Sequence, residues 1–168
     1  MKTIRLYLLA LLGVLLLSTA RADAQAYDLA GGVRFGYPNS LSLKKSIGEL
    51  SVLEATLGHR GSFLFYNRFN VGLAYQRLNP LDDVVEGLHW YWGAGGTVYF
   101  YNFNSGFGND LNSIGFGAQG FVGLEYNFED IPLNLTLDWV PTIVLGDDYF
   151  NRFQADTGGL GIRYIFGY

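Results

Sequence analysis

Between residues 27 and 168 apolar residues alternate with small, polar or charged ones, the period of a strand with one apolar face. In 27–37 one face reads Tyr27, Leu29, Gly31, Val33, Phe35, Tyr37 and the other Asp28, Ala30, Gly32, Arg34, Gly36. The same alternation returns in 41–47, 52–58, 71–76, 89–100, 114–128, 133–145 and 160–168, which predicts eight strands. No helical period competes after residue 26. Turn signals separate the segments at 38–40, 48–49, 61–70, 79–87, 102–112, 129–130 and 146–157. With the first strand rising from the near side, the longest aromatic-rich connections (61–70, 102–112, 146–157) all fall at the far end. Two of the three near-side turns are short, 79–87 being the exception, and short turns on one side with longer loops on the other is the plan of a transmembrane barrel. Pro141 interrupts the seventh segment on its apolar face; proline cannot donate to a ladder, so a bulge is expected there.

Alternation does not say which face points in, and a soluble barrel with its apolar face inward is the rival. Three features favour an apolar exterior. The polar face is poor in Lys and Glu and rich in Gly, Ala and Thr, which suits a narrow lumen. The apolar face carries aromatics near strand ends, at Tyr27, Tyr37, Trp90, Tyr126, Phe128 and Tyr168, as aromatic girdles do. The charges on the polar face come in both signs, so a lumen could neutralise itself. The expected fold is therefore an all-β, eight-stranded, antiparallel, up-and-down transmembrane β-barrel.

The first residues read as an address. Lys2 and Arg5 precede an apolar run at 7–17, followed by small residues with two A-x-A sites, Ala22-Asp23-Ala24 and Ala24-Gln25-Ala26. The run is too short to span a bilayer as a helix. The expected division is a signal peptide at 1–24 and a barrel domain at 25–168. Cleavage removes three positive charges and one negative, moving the net charge from −4 to −6. The uncharged stretch 90–109 is not a spanning helix either, because five glycines interrupt it.

The last segment, 160–168, resembles the C-terminal assembly signal of outer-membrane barrels, with Tyr164, Phe166 and Tyr168 at alternate positions. Residues 27–168 as a whole resemble the small eight-stranded outer-membrane barrels of the OmpA/OmpX kind. Residues 32–38 (Gly-Val-Arg-Phe-Gly-Tyr-Pro), 88–95 (Leu-His-Trp-Tyr-Trp-Gly-Ala-Gly) and 131–141 resemble a family of short, mostly uncharacterised outer-membrane barrel proteins. The resemblance implies a porin-like architecture in the cell envelope of a Gram-negative bacterium. It further implies outer-membrane lipids and the barrel-assembly machinery as partners, and carries no catalytic motif. A monomer is expected.

Composition narrows the chemistry. Only 15% of residues are charged, against about a quarter in an average domain, and Gly is 23 of 168. There is no Cys, which excludes disulfides, thiolate metal sites, Cys nucleophiles and a lipid-modified Cys anchor. An acidic chain is a poor partner for nucleic acid. The informative constellation is the set of charges on the polar face: Arg34, Lys44, Glu54, Glu125, Asp138 and Arg163. Counted from the near strand ends, Lys44, Glu54, Glu125 and Arg163 stand about four or five residues up and Arg34 and Asp138 about seven, heights that barrel shear blurs. They are expected to pair inside the lumen, because an unpaired buried charge is costly; an ion path or gate is the other reading.

Catalysis, cofactor and metal have little support. His89 lies on the inward face with no Ser or Cys placed for it to activate. His59, followed by Arg60-Gly61-Ser62, lies near the far rim, where outer-membrane lipid deacylases keep a His and a Ser. Their adjacent His-Ser on a late strand is absent here. Gly93-Ala94-Gly95-Gly96 lacks the helix a phosphate loop needs, and the glycosylation sequon Asn134-Leu135-Thr136 sits inside a strand. Asp147, Asp148 and Asp156 have no EF-hand spacing and read as a solvated loop rather than a Ca²⁺ site. The leading expectation is a structural or surface-interaction barrel, with a narrow pore or transport accessory next and a lipid-modifying enzyme third. Neither a ligand nor a cofactor is specified.

Overall fold

The computed structural model describes residues 27–62, 66–103, 111–145, 153–155 and 157–167. The expected signal peptide, Tyr168, Asp147, Asp148 and Asp156 lie outside these residues. The strands are β1 (Leu29–Tyr37), β2 (Asn39–Gly48), β3 (Ser51–Ser62), β4 (Tyr66–Pro80), β5 (Leu88–Phe103), β6 (Leu111–Asn127), β7 (Leu133–Trp139), β8 (Thr142–Leu145), β9 (Phe153–Gln154) and β10 (Gly158–Gly167). Sequence neighbours from β1 to β6 pair antiparallel, β6 pairs both β7 and β8, and β10 joins β7 on one side and β1 on the other. The sheet thereby closes. β7 and β8 form one wall strand and β9 and β10 another, giving a closed eight-stranded antiparallel barrel.

The apolar phase is outside. Phe35, Leu73, Phe116, Leu137 and Phe166 are all more than half exposed, while Arg34, Ala74, Thr136 and Ile165 on the alternate phase are buried. The interior of so small a barrel is filled by side chains. In the near half, Tyr27, Val52, Leu78, Tyr91, Phe121, Val140 and Ile165 form one buried cluster. In the far half, Tyr99, Tyr101 and Val144 form a second. The inward glycines are not gaps: a Cβ on Gly117 would stand 2.9–3.1 Å from Thr97, Tyr99 and Thr142. These glycines make room for larger neighbours to lean across the lumen.

Three local expectations are corrected. The strands reach further than the alternation suggested, so Arg68 and Asn70 belong to β4 rather than to a loop. Tyr27, assigned to the outer girdle, is fully buried inside. The register against β10 slips between Leu29 and Ala30, so the alternation read from β1 does not extend back to Tyr27. The bulge expected in the seventh wall strand is absent. Val122↔Trp139 and Gln119↔Thr142 keep one register across Pro141, and Gly120 N–H still donates to the Pro141 carbonyl at 3.0 Å. Proline removes one ladder bond and splits β7 from β8. The one-residue slip lies on the other side, where Trp139↔Gly158 gives way to Thr142↔Gln154.

An exterior facing lipid makes a definite demand. Leu73 is central on β4 and points outward. Leu73→Arg should cost about 2–4 kcal/mol in phospholipid vesicles, the penalty for a cation at the bilayer midplane. Urea unfolding of the reconstituted protein measures it, and a neutral result would place this face in water.

Candidate functional site

All six charges singled out from the sequence are buried in the lumen, and they fall into three ion pairs. Alternation on their own strands turns each inward, and closure of the sheet brings distant strands face to face. Arg34 on β1 meets Asp138 on β7. The second oxygen of Asp138 accepts a hydrogen bond from the Tyr91 hydroxyl at 2.6 Å. Nearer the β2–β3 turn, Lys44 on β2 meets Glu125 on β6, with its ammonium 4.5 Å from the centre of the Tyr91 ring, a cation–π contact. Arg163 on β10 meets Glu54 on β3 at 2.7 Å.

The Glu54–Arg163 pair is the most heavily supported. Glu54 also accepts from Ser42 and from Gln76, each at 2.5 Å. Arg163 spreads its donors over Ser42 (2.7 Å), Thr136 (2.9 Å) and Asn134 (3.2 Å). Asn134 in turn donates to Asn127 at 2.7 Å. Polar side chains from β2, β3, β4, β6, β7 and β10 thus converge on one cross-lumen network. Such charges stay buried only because partners and hydrogen bonds replace their water. The sequence reading missed Gln76 as a member, since a lone glutamine carries no pattern of its own.

The two histidines lie on opposite faces of the wall. His89 is buried near the β4–β5 connection, its Nδ1 3.2 Å from the Gly87 carbonyl. His59 is on the outer face, its ring 4.7 Å from that of Phe69. Among the described residues neither ring meets a hydroxyl, and no group of three His, Asp or Glu is placed to hold a metal. Of the residues expected to form an assembly signal, Tyr164 and Phe166 point outward with their rings 5.2 Å apart. At the near rim, Glu129 is held above the usual carboxylate range chiefly by the charge of Glu86 on a neighbouring connection.

No protein-family model matches the chain, and no curated protein matches it in sequence. Its fold is similar to two solved structures. One is the N-terminal β-barrel domain of Pseudomonas aeruginosa OprF (TM-score 0.60, 15% identity, 82% of this chain and 95% of that one). The other is Neisserial surface protein A, NspA (TM-score 0.59, 13% identity, 83% and 94%). At these identities the likeness is one of fold.

Proposed function

We propose that this chain is an integral outer-membrane protein of a Gram-negative bacterium whose barrel is a plugged anchor for far-side loops that make surface contacts. The observation that carries the reading is the pairing of an apolar exterior with a lumen crossed by three ion pairs. An apolar belt needs lipid, and a crossed lumen gives no open path. The fold likeness to OprF's barrel domain and to NspA supports the location. In this reading segment 1–24 directs export, and the strand bearing Tyr164, Phe166 and Tyr168 engages the barrel-assembly machinery. Outer-membrane lipids surround a monomer. Arg34, Lys44, Glu54, Glu125, Asp138 and Arg163 act as the plug, without cofactor or catalysis.

Cell fractionation tests the location. The protein should sediment with outer membranes and migrate faster unboiled than boiled in detergent gels, because a closed barrel resists unfolding by detergent alone. Recovery from the soluble periplasm, with one band whatever the heating, would refute the reading.

A further inference from the structure

Among the described residues, the lumen holds more buried cations than carboxylates. Among the described inward residues, Arg34, Lys44, Arg68 and Arg163 are buried against Glu54, Glu125 and Asp138. Each carboxylate is already taken by Arg163, Lys44 or Arg34. Arg68 is left over. It stands on β4 six residues toward the far end from Ala74, the residue that faces Glu54 in register. At strand rise that is about 20 Å, beyond the reach of that carboxylate.

The surroundings of Arg68 are those of a site. It is 2% exposed, and its Nε and Nη2 atoms are buried without a hydrogen bond. Its guanidinium lies 4.7 Å from the centre of the Tyr99 ring, which holds the group in one place. Arg60 on β3 is its register partner across the ladder. Arg60 is itself stacked on Tyr37 at 3.3 Å. Asn70, next inward on β4, donates to Thr97 Oγ1 at 3.5 Å. A buried guanidinium with open N–H groups requires a counter-charge, and its fork fits two oxygens of one carboxylate or phosphate.

We propose that Arg68 anchors a small-oxyanion site at the far end of the lumen, separate from the three-pair network below it. The ligand is a carboxylate or phosphate group held on two N–H groups of Arg68, above the Tyr99 ring. It enters from the aqueous far side, since Arg68 faces the lumen and not the lipid. The site does not depend on the plug or on the cellular location proposed above.

The test uses the full chain in detergent micelles at constant ionic strength, with inorganic phosphate and acetate as probes and chloride as the reference ion. One or both oxyanions should raise the thermal midpoint saturably. Arg68→Gln should abolish the shift, and Arg68→Lys, which keeps charge but loses the fork, should weaken binding about tenfold. The Arg68 side-chain ¹⁵Nε resonance of the parent should move along the same saturation curve, which serves if Arg68→Gln fails to fold. The proposal is overturned by an equal shift in Arg68→Gln, by an unmoved Nε resonance, or by the absence of saturation with both probes.

Discussion

Glu54→Ala is expected to cost the barrel about 3–5 kcal/mol, the penalty for stranding one member of a buried ion pair. The change leaves Arg163 in the lumen without its carboxylate, and Ser42 and Gln76 without their acceptor. Water cannot readily replace that acceptor, because Glu54 is 1% exposed and Arg163 likewise. Glu54→Gln should cost nearly as much, since it keeps the volume and removes the charge. The double variant Glu54→Met/Arg163→Met should lose much less than the sum of its single changes, because a packed apolar pair leaves no uncompensated charge. Urea unfolding of the parent, the two single Met variants and the double variant in one lipid checks this. Additive losses would mean that the pair is not a unit.

Much of the fold was legible because a barrel wall writes itself as a period of two. Each of the six network charges sits on the polar phase of its strand, and the structure buries every one. Their partners were not legible. Arg34 and Asp138 are 104 residues apart, and Arg163 and Glu54 109. Only closure and register decide which of three cations meets which of three carboxylates. Segment ends were also hard to read. Residues 66–70 (Tyr-Asn-Arg-Phe-Asn) carry Asn on the outward phase and Arg on the inward one, so they resemble a loop. The ladder with β5 nonetheless runs through them to Asn67, and Arg68 was overlooked for that reason. Pro141 announced a disturbance, but whether a strand answers with a bulge or a lost hydrogen bond depends on its neighbours.

In the proposed reading the network closes the lumen, and the second large effect lies there. Arg34–Asp138 with Tyr91, Lys44–Glu125 and Arg163–Glu54 tie opposite walls of the barrel together. The apolar cluster around Phe121, Ile165 and Leu78 fills the remaining space in the near half. An ion entering would have to break a pair and shed its own water, each a cost of several kcal/mol. The direct measurement is planar-bilayer recording of the purified parent beside Glu54→Ala and the double variant Arg34→Ala/Asp138→Ala. The parent should be silent apart from rare, small openings, and at least one variant should carry a current the parent lacks. Steady, large conductance through the parent would contradict it and make the barrel a pore.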